Sequence, residues 1–143
     1  MILMEMVRPR STSDPTFLAR LRQIGGKNLT VEENRSDFRD LLRHCRLSVS
    51  QAGYNSVVDL FTSGAPALLA PFTGEGGETE QPGRARYLSA IGRAPVISED
   101  ALEGATLAAR VDGLIDSGPK RFSPVSCDGA MSSVEALKAY LQA

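Results

Sequence analysis

Histidine occurs once in this chain, at position 44, and cysteine only twice, at 45 and 127. Neither cysteine has a Cys or His partner at metal-ligand spacing, and two thiols do not make a disulfide framework. The sequence therefore predicts no metal centre, and two reduced cysteines in a cytosolic compartment. Excess charge is also missing: 16 Lys and Arg against 17 Asp and Glu leave a net charge of −1, which gives no electrostatic footprint for nucleic acid. Residues 1–7, MILMEMV, are apolar but far too short to cross a bilayer, and they lack the basic start and the cleavage site of a secretory signal. No export is predicted, and no Lys- and Arg-rich apolar helix argues for a membrane surface.

What is present is an ordinary globular composition, 42% hydrophobic and 23% charged over 143 residues. Such a chain suits one domain and buries roughly two-thirds of its unfolded surface on folding. Residues 1–7 read as a buried strand and 8–13 as a polar loop. Asp14 and Pro15 open a helix over 16–24 that stops at Gly25 and Gly26. Residues 28–32 read as a strand with Leu29 and Val31 inward, and Ser36 or Asp37 caps a helix bearing Phe38, Leu41 and Leu42. After residue 81, Gln81 and Pro82 open a helix to Ile91, and residues 95–97 form a short strand before a Ser98 cap. Residues 101–115 are helical, and Ser132 or Ser133 starts a final amphipathic helix with Val134, Leu137, Tyr140 and Leu141 on one side. Strands alternating with helices imply parallel pairing through right-handed crossovers. The expected fold is α/β, a three-layer α/β/α doubly wound parallel sheet of about five strands in one domain over residues 1–143.

The stretch 47–81 organises the rest. Residues 47–50 alternate as a short strand, Ala52 and Gly53 break it, 54–62 read as a helix closed by Ser63 and Gly64, and the apolar run 67–70 is a second strand. A helix entered from a strand through glycine points its free N–H groups and the positive end of its dipole past the carboxyl edge of the sheet, where a phosphate binds. Gly53 lets a ligand approach the backbone closely and permits positive φ, and Asp59, one turn further in, can accept hydrogen bonds from a ribose diol. Asn55, Ser56 and Asp59 fall at spacings of three and four and make a narrow polar stripe. The competing reading has Asn55 or Ser56 capping the helix and Asp59 as a solvated carboxylate; residue chemistry alone leaves both open.

The string SQAGYNSVVDL at 50–60, the strand ALLAPF at 67–72, the acidic glycine loop ending in Glu80 and Gln81, and RARYL at 84–88 together resemble the C-terminal domain of family 28 glycosyltransferases, over roughly residues 37–115. That group has the GT-B fold and includes the N-acetylglucosaminyltransferase of peptidoglycan synthesis and the diacylglycerol glycosyltransferases. The resemblance implies that Gly53, Tyr54, Asn55 and Ser56 meet a nucleotide diphosphate and that Asp59 holds the ribose, although Glu is common there. It also implies that Glu80 and Gln81 contact the donor sugar, with Phe72 and Thr73 at the start of the loop in the same site. The implied donor is a UDP-sugar or similar, with no cofactor, and the catalytic residues stay unassigned.

A complete half of this kind opens with a strand, a Gly-Gly loop and a helix before the equivalent of residues 1–7, and follows an acceptor domain that supplies the base. The resemblance thus implies an N-terminally truncated chain whose sheet edge or final helix calls for a partner chain, or a second copy in a homo-oligomer. The alternative is a non-catalytic nucleotide-binding or protein-interaction module derived from the same fold. Three carboxylates in the loop 74–80 lack the fixed spacing of a calcium loop, and its glycines fit a lid. His44 and Cys45, adjacent on a helix, point about 100° apart and cannot act together. Arg84 and Arg86 are open between diphosphate contacts and solvated side chains.

Overall fold

The structure, a computed structural model, describes residues 1–4, 15–25, 27, 29–32, 35–74, 77 and 79–141. Its elements in chain order are β1 (Ile2–Met4), α1 (Pro15–Gly25), α2 (Phe38–His44), β2 (Leu47–Ser50), α3 (Tyr54–Ser63), β3 (Ala67–Leu69), α4 (Glu80–Ala90), a 3-10 turn (Glu99–Ala101), α5 (Gly104–Asp116) and α6 (Gly129–Leu141). The strands are parallel in the order β1-β2-β3, with Ile2 opposite Leu47 and Ser48 opposite Ala67. Leu69 then bridges Val96 in parallel, and Ile97 N–H donates to the Leu69 carbonyl at 2.9 Å.

Parallel strands need crossovers, and the crossovers cover both faces. Every residue of β2 and β3 is buried. The period of two sorts their side chains into two cores. Ala67 and Leu69 pack with Leu42 of α2, Leu60 of α3, and Ala85 and Leu88 of α4. Leu47, Val49 and Leu68 pack on the other face with Ile97 and with Val111 of α5. The result is a three-layer α/β/α sandwich with α2, α3 and α4 on one side and α5 on the other.

Several expectations need correction. Among the described residues, three strands and a one-residue bridge stand in place of about five expected strands: residues 95–97 make a single bridge and residues 29–32 are in no strand, with Leu29 44% exposed. Of the strand expected over residues 1–7, residues 5–7 lie outside the described ones, and the described part, β1, is not buried: it pairs only with β2 among the described strands, and Ile2 and Met4 are 45% and 54% exposed. Asp37 stands at the cap position of α2 without capping, because Arg35 holds its carboxylate through Nε and Nη2 at 2.8 and 2.7 Å and keeps it below the usual carboxylate range. The last helix begins at Gly129, ahead of Ser132, and its Val134, Leu137 and Tyr140 are 44%, 59% and 79% exposed. The expected cap at Asp14, the loop 8–13 and most of the carboxylate loop (Glu75, Gly76 and Glu78) lie outside the described residues.

Between α5 and α6 the chain returns to the α3 side of the sheet. Phe122 N–H donates to the Gly64 carbonyl at 3.0 Å, Val125 N–H to the Phe61 carbonyl at 3.0 Å, and Arg121 Nη2 to the Cys45 carbonyl at 2.6 Å. Arg93 locks this strap: its buried guanidinium lies 4.4 Å from the Phe122 ring and 5.6 Å from Phe61, and Nη2 donates to the Leu60 carbonyl at 2.6 Å. Burial pulls its pKa below the ordinary arginine value. These contacts all gather near the C-terminal end of α3, away from the carboxyl edge of the strands.

Candidate functional site

β2 ends at Ser50 and β3 at Leu69, and the segments that follow them meet at the carboxyl edge. Chain reversal from β2 into α3 is made by Ala52, whose φ is +65°, and not by Gly53, whose φ and ψ are −59° and 156°. The expected freedom of Gly53 to take positive φ is therefore unused; its extended conformation is the usual one for the residue before a helix. A left-handed alanine costs about 1–2 kcal/mol, and such strain persists where the surroundings impose it. Here they do: Ala52 is fully buried, and Arg84 Nε of α4 donates to its carbonyl at 3.0 Å.

No side chain caps α3, so Asn55 and Ser56 do not fill the capping role that the competing reading gave them. The first helical bond runs from Val57 N–H to the Gly53 carbonyl at 3.0 Å, which leaves the N–H groups of Tyr54, Asn55 and Ser56 without an intrahelical acceptor. Among the described residues, a Cβ added at Gly53 would meet only Ser56 Oγ, at 3.5 Å, so none of them blocks the approach to these donors at Gly53. The expected polar stripe splits. Ser56 turns under with Leu60 and Ser63 onto the buried side, Tyr54 is 70% exposed, and Asn55 and Asp59 share an open groove of about 300 Å³ with Arg39 and Val58. Asp59 is not a solvated carboxylate either: Arg39 Nε of α2 donates to its Oδ1 at 2.8 Å, and its side chain is 16% exposed.

The loop after β3 is tied on two sides. Phe72 N–H donates to Gln81 Oε1 at 3.2 Å, and Thr73 N–H donates to Glu99 Oε2 at 2.8 Å, with the Thr73 hydroxyl on the same oxygen. Glu80 opens α4 and pairs with Arg84 Nη1 at 3.0 Å, so one arginine links the α4 start to the turn before α3. The structure thus brings Gly53, Tyr54, Asn55, Glu80 and Gln81 to one edge, with Phe72 44% exposed beside them. Arg39 and Glu99 were missed by sequence reasoning because their partners lie 20 and 26 residues away, and no local pattern marks them.

A larger groove, about 440 Å³, runs along the outer side of α3 and is lined by Arg39, Val58, Thr62 and residues 124–128. It lies beside the helix and away from its open end. Among the described residues no three His, Cys, Asp or Glu side chains gather to hold a metal ion, and no helix is long and apolar enough to cross a membrane. His44 Nδ1 lies 2.8 Å from the Asp40 carbonyl, while Cys45 is buried against the Leu42 carbonyl and burial pushes its thiol up, so the adjacent pair forms no nucleophile and base.

Protonating Glu99 tests the loop tie. Its two bonds to Thr73 hold the carboxyl below the ordinary 4.5, so they are in place above that value and are lost as pH falls through the depressed one. The Thr73 amide resonance is expected to titrate with a midpoint below 4.5, and Glu99→Gln to abolish that titration. A midpoint at or above the ordinary value would show that the carboxylate does not hold the loop in solution.

The family model of the glycosyltransferase family 28 C-terminal domain matches residues 17–139, which takes in α2, α3, α4 and both buried strands. No curated protein matches the chain. Among solved structures, the crystal structure of the glycotransferase of kitacinnamycin is similar over 80% of this chain, at 17% identity and a TM-score of 0.53, a likeness that speaks for the fold. The chain spans 34% of the length of that protein. With an open helix end at the carboxyl edge of a parallel sheet and a family match over most of its length, the chain belongs to the glycosyltransferase family 28 C-terminal domain family.

Proposed function

We propose that this chain is the donor-binding part of a glycosyltransferase that moves a hexosyl or N-acetylhexosaminyl group from a nucleotide diphosphate sugar, UDP-linked, to an acceptor. One observation carries the reading: the uncapped start of α3, with the N–H groups of Tyr54, Asn55 and Ser56 facing past the carboxyl edge behind a side-chain-free Gly53. Three such donors, fixed before the reaction, stabilise the charge that grows on a leaving diphosphate. Asp59 receives the ribose, and Glu80 and Gln81 at the start of α4 receive the sugar hydroxyls, with Phe72 and Thr73 walling the same side. Acceptor and base come from outside the elements described here, in keeping with a match to a third of a larger transferase.

Titration of the full chain with UDP by calorimetry, with amide shifts mapped by NMR, tests this. Saturable binding with shifts at residues 52–59 and 72–81 is expected. Binding with shifts confined to α5 and α6, or an Asp59→Ala variant of unchanged affinity, would remove the site. The exposed Met131, Val134, Leu137 and Tyr140 of α6 favour a second reading, a protein-interaction module of the same fold, which a chain that binds no nucleotide would support.

A further inference from the structure

Asp59 is not an isolated ligand. Its Oδ1 accepts from Arg39 Nε at 2.8 Å, across two helices and 20 residues of sequence, so only the packing of α2 against α3 creates the pair. The carboxylate side chain is 16% exposed and the arginine 68%, and both line the groove that begins at Asn55 in the first turn of α3. The bond runs through Nε to one oxygen. Asp59 Oδ2 keeps its acceptor capacity, since a carboxylate takes roughly four donors in all.

A diphosphate at the start of α3 sets an electrostatic problem for this groove. Asp59 lies three to five residues beyond the three free N–H groups, about 5–8 Å along the helix axis at 1.5 Å per residue. A bare carboxylate at that distance repels an anionic ligand, weakening binding on the order of tenfold for effective dielectrics between protein surface and water. A carboxylate already paired with a guanidinium does so far less, and it still accepts hydrogen bonds.

We propose that Arg39 is a positioning residue of the donor site, holding Asp59 through Oδ1 so that Oδ2 faces the ribose diol, and cancelling the charge that Asp59 would otherwise present to the diphosphate. The inference rests on the donor-binding reading above. Arg39 touches neither the sugar nor the reacting atoms, and its effect is carried by Asp59.

The two roles separate by ligand and by salt. With the full chain, Arg39→Gln is expected to weaken UDP binding on the order of tenfold at low salt and uridine binding by no more than about threefold, the gap closing at high salt. Arg39→Lys keeps the charge and is expected to recover part of the UDP loss but not the uridine loss, because a lysine lacks the planar fork that fixes the carboxylate. The urea midpoint of both variants stays near that of the parent, as expected for a pair with one exposed partner. Equal losses for UDP and uridine, independent of salt, would make Arg39 a merely structural residue and overturn the proposal, as would unchanged UDP affinity in Arg39→Gln. If the parent chain binds neither UDP nor uridine, the donor-binding reading fails first and takes this inference with it.

Discussion

Gly64→Ala is expected to destabilise the fold by about 4 kcal/mol, more than typical single substitutions. Gly64 ends α3 with φ at +65°, a conformation that costs an alanine about 1–2 kcal/mol. A Cβ there would also overlap the carbonyl oxygen of Phe122, which is backbone and has no rotamer to give. The strap would have to lift, breaking the bond from Phe122 N–H to the Gly64 carbonyl and pulling the Phe122 ring off the buried guanidinium of Arg93. Urea denaturation measures the loss as a lower midpoint at unchanged slope. A change below about 1 kcal/mol would mean that the strap does not seat on α3 in solution.

Gly53→Val is expected to behave in the opposite way, losing UDP affinity by more than about tenfold while stability falls by less than about 1 kcal/mol. The structure alters the reason. With φ at −59°, valine meets no backbone strain, and among the described residues a Cβ touches only Ser56 Oγ, at ordinary contact distance. What valine would do, on the donor-binding proposal, is fill the space through which a phosphate would reach the N–H groups of Tyr54, Asn55 and Ser56. Calorimetry with UDP beside a urea titration reads both quantities. Retained affinity in a folded Gly53→Val protein would take the phosphate away from this turn, and outright unfolding would give Gly53 a structural role instead.

The two substitutions mark opposite ends of one helix, and the difference between them follows from topology. Parallel strands place every β-to-α turn at one edge of the sheet and every α-to-β turn at the other. Among the described residues no side chain caps the Gly53 end, while the Gly64 end is sealed by residues 121–125 and by Arg93. Rigid packing at one end of α3 thus positions free donors at the other, an arrangement that suits a binding site carried on a regular element.

By itself the sequence determined the order of strands and helices in the central stretch, because their signals are local. The run of apolar residues at 67–70 reads as a strand, Ala52 and Gly53 break the preceding strand, and Gly64 stops the helix. The same local reading placed the candidate residues at the strand ends, and family resemblance gave them roles. It was weakest at the periphery. Residues 29–32 alternate but pair with no strand among the described residues, and β1, apolar enough for a core, sits at the edge of the described sheet. Hydrophobicity says what a segment tolerates, whereas pairing depends on what lies beside it.

Tertiary structure alone decided the electrostatics of the site and the geometry of its turn. Arg39 finds Asp59 across two helices, Glu99 reaches Thr73 from a turn 26 residues on, and Arg84 reaches back 32 residues to the Ala52 carbonyl. The positive φ moved to Ala52, where burial and that arginine hold it, although a neighbouring glycine was available. Each of these is a meeting of residues far apart in the chain, and sequence periodicity carries no information about such meetings. Arg39 and Arg84 find their partners because α2, α3 and α4 pack together over β3, and Glu99 finds Thr73 because residues 96–97 pair beside the end of β3.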